Sequence, residues 1–263
     1  MIDLSNTQQL ISFLNNNSEV EFFRERHQST LELAEKLNEL IKAVFFREIP
    51  QTSEAVSIFM LGRLSIRHFE SITILAATGH GFSAMRVLRS MVEKYVDAAF
   101  LYKKPKQIDV FWNHQLVSAH LRGYSNLDSI DADWENKIKQ YQTKNGKFRL
   151  NWSKESFREK AKYIGLDSWL LENSYTLSNS FVHSSTDEIL FSFEKNDNGL
   201  TPVGAINEHE RVFASAAYHM AINILFSMFE VQIKHYQLQK AESKFNEVSK
   251  LFVNAIKMDK AKQ

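Results

Sequence analysis

The sequence predicts an all-α fold: a multi-helix bundle carrying one small β-hairpin near residues 189–206. Three observations predict it. Long stretches repeat apolar residues at spacings of three and four, the mark of a helix with one buried face. Only three prolines and eight glycines punctuate 263 residues, too few for the many turns of a doubly wound sheet. Hydrophobic residues make up 44% of the chain, enough to bury a substantial core without a covalent staple.

The elements follow in order. A short helix is expected over residues 6–16. A second opens at Ser18, with Glu21 three places on as a capping box, and runs until Pro50 stops it. A third starts near Ser53 and ends at Gly79; a fourth covers 82–104 and stops at Pro105; a fifth runs on to Ser125. Residues 128–143 read as an amphipathic charged helix ending at "KNG", followed by the irregular "KFRLNW". Ser153 is expected to cap a short helix that Gly165 ends, and another helix spans 167–183. The segment "EILFSFEKNDNGLTPVGAI" alternates before an Asn198-Gly199 turn, hence the hairpin. A long helix from Asn207, breaking near 240, completes the chain. No repeat, low-complexity linker or shift in composition appears. Residues 1–263 are therefore read as a single helical domain, with a core over 53–240 and with 6–49 and 240–262 as packing extensions.

Composition excludes several functions. With no cysteine there is no disulfide, thiolate metal site or cysteine nucleophile. The opening "MIDLSNTQQL" has acids and amides where a signal peptide needs a cationic start, and no eighteen apolar residues run together. A cytoplasmic protein with no membrane contact is expected. Lys and Arg total 32 against 31 Asp and Glu, so any nucleic-acid binding must come from a local patch. There is no H-E-x-x-H, no E-x-x-H pair, no G-x-S-x-G and no P-loop, and His114 and His120, six apart on one helix, point in different directions. No metal and no cofactor are expected.

One stretch, "TGHGFSAMRVLRS", imitates a dinucleotide fingerprint as Gly79-x-Gly81-x-x-Ala84. That fingerprint needs a strand before it and an acidic residue ending a second strand some way on. Here "SITILAAT" is the end of a helical pattern, so the two glycines read as a helix stop and a tight turn.

The fourth helix carries polar residues worth testing. At about 100° per residue, Leu88, Met91, Val92, Tyr95, Ala99 and Tyr102 form an apolar arc, and Arg86, Ser90, Glu93 and Asp97 the opposite one. Arg89 lies on the border and pairs with Glu93 four places on. The pair reads first as a lock between helices, since partly buried pairs are common where helices cross, and second as part of an active site. A second group is "YTLSNSFVHSS", where Tyr175, Asn179 and His183 fall at i, i+4 and i+8 on one face. His183, near the helix end, is either a carboxyl-terminal cap or a catalytic acid or base. Between Lys137 and Lys162 stand nine Lys or Arg against two glutamates, interleaved with aromatic rings. Lys144, Lys147, Arg149 and Arg158 are there as phosphate contacts and Trp152 as a base-stacking ring, or the run is a solvated face over core aromatics.

Together, "GFSAMRVLRSMVEKYVDAAFLYKKP", "WSKESFREKAKYIGL" and "YTLSNSFVHSS" resemble a bacterial family of unknown function, DUF5677, over roughly residues 55–190. That resemblance implies architecture and no activity. A more distant likeness is to the HEPN superfamily of helical ribonucleases, frequent in toxin and anti-phage systems, which carry R-N-x-x-x-H and usually act as dimers with the motifs facing. Here the aligned residues run from Ser178 through Asn179 to His183, so the arginine is missing. The likeness implies a metal-independent ribonuclease with His183 moving a proton, Asn179 positioning it and Tyr175 supporting it. Arg89, with Arg86 second, replaces the missing cation and Glu93 orients Arg89. It further implies RNA as partner, a homodimer, and a protein partner from a defence or toxin module. The alternative is a non-catalytic helical binding or scaffold protein.

Overall fold

A computed structural model of the chain describes residues 18–49, 51–124, 126–129, 131–166, 168–182, 193–196, 199–202 and 208–261. The multi-helix bundle is what it shows. At its centre lie α4 (Ser53–Ala77), α5 (Gly81–Lys103) and α11 (Glu208–Tyr236), which pack on one another along much of their lengths. Their shared interior holds Ile72, Met85, Leu88, Val92, Ala221, Leu225 and Phe229, all essentially inaccessible to solvent. Glu208–Tyr236 is the one helix among the described residues long and apolar enough to cross a membrane, and most of that stretch is buried inside the bundle.

Local chemistry sets the boundaries. Thr52, in an extended conformation, accepts the Ala55 N–H at 3.1 Å through its hydroxyl and starts α4. The helix stops where Gly79 takes φ +78° and the His80 N–H returns to the Leu75 carbonyl at 2.8 Å. Gly81 then opens α5 against the backbone of α11: a Cβ there would stand 2.0 Å from the Glu210 carbonyl oxygen. The Glu210 carboxylate accepts the Phe82 N–H at 2.8 Å, satisfying one of the free donors of the new helix. The glycine pair of the imitation fingerprint therefore serves a helix-to-helix turn and a helix crossing.

Around this centre lie shorter elements. Before it run α1 (Ser18–Arg26), α2 (Gln28–Leu31) and α3 (Ala34–Phe45). The unbroken helix expected from Ser18 to Pro50 is thus corrected: it breaks at His27 and again at 32–33. The break lets Ser29 and Thr30 donate their backbone N–H groups to Asp259 (3.0 and 3.1 Å), a cap supplied from the far end of the chain. After α5 come α6 (Ile108–Leu121) and α7 (Trp134–Lys139). The helix expected over 128–143 shrinks to these six residues because the chain then turns back, with Gln142 bridged to Phe148 and Gly146 at φ +73°.

α8 (Phe157–Ile164) is capped by Ser156, not by Ser153: the Ser156 hydroxyl accepts the Glu159 N–H while the Glu159 carboxylate accepts the Ser156 N–H. Ser153 bonds Glu155 instead. Gly165, at φ +78°, ends α8. The helix expected over 167–183 is described as α9 (Ser168–Leu171), a π-helical turn Glu172–Thr176, and α10 (Leu177–Val182).

Of the segment expected to form a hairpin over 189–206, only β1 (Phe193–Asn196) and β2 (Gly199–Pro202) are described, paired antiparallel from Phe193 with Pro202 to Asn196 with Gly199. The bundle owes nothing to it. The long last helix breaks at Gln237, at φ +55°, and α12 (Gln239–Ala261) folds back on α2 and α3. The helix expected over 6–16 lies outside the described residues.

Candidate functional site

A stripe at four-residue spacing on α5, namely Arg89, Glu93 and Asp97, faces away from the helix's apolar arc and borders a cleft of about 310 Å³. The Arg89 Nε donates to Glu93 Oε1 at 3.3 Å, with the two side chains 20% and 34% exposed. One turn on, Asp97 receives the Lys160 Nζ at 2.5 Å, and this pair is more deeply set, at 14% and 9% exposed. Lys160 comes from α8, so the pair pins α8 to α5.

Aromatic rings form the walls. Phe157 stacks on Tyr175 with centroids 3.6 Å apart and planes within 15°. The Arg89 guanidinium lies 5.4 Å from the Tyr175 ring centre, and the Lys160 ammonium 4.8 Å from that of Trp152, both favourable for a cation over a ring face. Lys94, His114 and Asn151 complete the polar lining. The His114 Nε2 is 3.2 Å from the Arg149 carbonyl, an acceptor only, so that nitrogen is the donor. Three cations against two carboxylates leave the lining with one positive charge in excess.

The sequence-expected residues distribute as follows. Arg89, Glu93 and Tyr175 meet at the cleft. Arg86 lies one turn back on α5, its Nε donating to the Phe181 carbonyl at 2.6 Å. Since Arg86 meets Phe181 and Arg89 meets Tyr175, α5 and the helix bearing Asn179 run antiparallel. Asn179 is half-buried and does not line the cleft. His183 lies outside the described residues. Ser178, where the likeness would have an arginine, is fully buried, and its hydroxyl donates back to Ser174 and Tyr175 carbonyls. A long cation at 178 would have no route outward.

The basic segment is more committed than its sequence suggests. Trp152 is only 8% exposed and packs edge-on against Phe111 (5.3 Å, 89°) and Phe100 (6.0 Å, 62°). That burial corrects the base-stacking role expected of it: its face is covered, and it enters the site as a wall. Its indole Nε1 is buried with no acceptor among the described residues. Arg149 is folded inward, donating to the Gln140 carbonyl at 2.9 Å, and Arg158 stands 3.9 Å from Glu172. Lys144 and Lys147 are exposed in the turn around Gly146. The sequence reading missed Lys94, the Asp97–Lys160 pair and His114 as site residues. Asp97 was legible as the next member of the Arg89–Glu93 stripe, whereas its partner, 63 positions away, was not.

With this geometry the comparisons can be placed. The family model for DUF5677, a family of unknown function, matches residues 54–200, from the start of α4 through the segment after α10. The chain belongs to that family. No curated protein matches the chain, and no solved structure matches it.

Proposed function

We propose that this chain is a metal-independent ribonuclease of the HEPN-like kind, working on RNA phosphates along the Arg86–Arg89 edge of α5. The observation that carries the reading is the placement of those two arginines. Both rest on the helix that leads into His183, and they supply the cation that position 178, buried and occupied by serine, cannot. In this reading His183 takes the proton of a ribose 2′-hydroxyl as its oxygen bonds phosphorus. The bond from phosphorus to the 5′-oxygen breaks, leaving a 2′,3′-cyclic phosphate, and the 5′-oxygen takes a proton from water. The arginines steady the charge that builds on the phosphoryl oxygens, Glu93 holds Arg89 in place, and Asn179 and Tyr175 position the acid–base group. A homodimer in the cytoplasm, with a protein partner from a defence or toxin module, belongs to the same reading.

The test is cleavage of single-stranded RNA by purified protein in excess chelator. Cutting is expected, with His183→Ala lowering it by about 10²–10⁴-fold at unchanged Tm and the double change Arg86→Ala/Arg89→Ala also abolishing it. RNA left intact at high protein concentration overturns the proposal. A second reading, a non-catalytic binding protein, is favoured by the two cation–carboxylate pairs that line the cleft. It predicts no cleavage, together with a Tm rise on adding an anionic ligand.

A further inference from the structure

Away from the cleft, and sharing no residue with it, three fully or nearly buried polar side chains converge from three distant parts of the chain. They are His27 at the α1–α2 junction, His219 in the middle of α11 and Asp259 in the last turn of α12, at 0%, 5% and 0% exposure. One ligand atom from each lies within 4.8 Å of the others. We propose that His27, His219 and Asp259 form a binding site for one divalent first-row transition-metal ion, with zinc best suited to the donor set.

The spacing fits. His27 Nδ1 and His219 Nε2 are 3.2 Å apart, and two nitrogens on a tetrahedral zinc at about 2.0–2.1 Å stand about 3.3 Å apart. The surroundings fit as well. The other nitrogen of His27 lies 3.1 Å from the Ser215 hydroxyl, one turn before His219 on α11. Donating its N–H there leaves Nδ1 with the lone pair a metal needs, the arrangement that ordinarily orients a ligating imidazole. Asp259 is held by the Ser29 N–H on Oδ1 and by the Thr30 N–H and hydroxyl (2.9 Å) on Oδ2, which fixes the carboxylate while leaving Oδ1 a lone pair for a metal.

Charge gives the motive. The Asp259 carboxylate is sealed from solvent and makes no ion pair among the described residues. A divalent ion would compensate the carboxylate and take the place of the proton shared between the two facing ring nitrogens. Three protein ligands leave a fourth position that a water would take. Reading the sequence for H-E-x-x-H or E-x-x-H excluded metal because those motifs are local, whereas these ligands are 192 and 40 positions apart.

The experiment is independent of the nuclease proposal and uses no RNA. Full-length protein is stripped with chelator and dialysed against zinc or cobalt(II). Metal content, the cobalt visible spectrum and Tm are then read on wild type, His219→Gln and Ser215→Ala. Wild type should retain one ion per chain, show the intense visible bands of four-coordinate cobalt, and melt higher with zinc than without. Ser215→Ala should weaken affinity at least tenfold, and His219→Gln should lose the ion and the bands. Should wild type retain no metal and show no bands, or should His219→Gln retain metal equally, the site is overturned; the wild-type reading decides even if a variant fails to fold.

Discussion

At residue scale, two glycines and one glutamate show how differently a single position can be constrained. A Cβ at Gly81 would meet backbone atoms of α11, the Glu210 oxygen at 2.0 Å and the Ala214 nitrogen at 2.5 Å, and backbone cannot rotate aside. Gly81→Ala should cost about 3 kcal/mol or more, the upper end for overpacking. Gly123→Ala, at φ +75° but in open space, should cost only about 1 kcal/mol. Urea unfolding of both variants checks the contrast, and equal costs would remove the helix-crossing account of Gly81. Glu19 offers a pH test. The Arg211 guanidinium donates two hydrogen bonds to it (2.8 and 2.5 Å) and holds its carboxyl below the usual value of 4.5. Because its folded pKa is depressed, the stabilisation is present above about pH 4.5 and is lost as pH falls through the folded value. Arg211 is 40% exposed, so the contribution is about 1 kcal/mol after screening. Melting curves of wild type and Glu19→Gln should differ at pH 7 and converge once the pH falls below the folded-state pKa of Glu19.

At the scale of elements, the informative contact is the pair that pins α8 to α5. Lys160 and Asp97 are both largely out of water, so removing one strands the other. Lys160→Ala or Asp97→Ala should each destabilise by about 3–5 kcal/mol, and the apolar double change Asp97→Leu/Lys160→Met by less than the sum. Chemical denaturation of the three variants tests this; additive losses would mean the two groups do not act as a pair. Element boundaries also show what the sequence could yield. The Ser156–Glu159 box was readable, since Ser153 has serine, not glutamate, three places on. The break at His27 was not, because its cap comes from Asp259, 230 positions away from Ser29. Nor was the π-helical turn Glu172–Thr176, inserted just where Tyr175 stacks on Phe157 and receives Arg89. The extra residue in that turn shifts Tyr175 relative to Asn179, so the simple i, i+4, i+8 face does not carry through.

At the scale of the whole molecule, the fold ties down part of the basic segment of a near-neutral chain. Lys137 is tied to Asp131, Lys160 to Asp97 and Arg149 to a backbone carbonyl, whereas Lys139, Lys144, Lys147, Lys154, Arg158 and Lys162 are exposed. The bounds of α4 and α5, the glycine turn between them and the Arg89–Glu93 pair were determined by the sequence alone, because period, capping and i to i+4 spacing act within a few residues of chain. Which cations remain available, which aromatic rings are walls instead of platforms, and how His27, His219 and Asp259 come together were decided only by tertiary structure. Those outcomes depend on burial and on distances between groups far apart in the chain, and no local spacing encodes either.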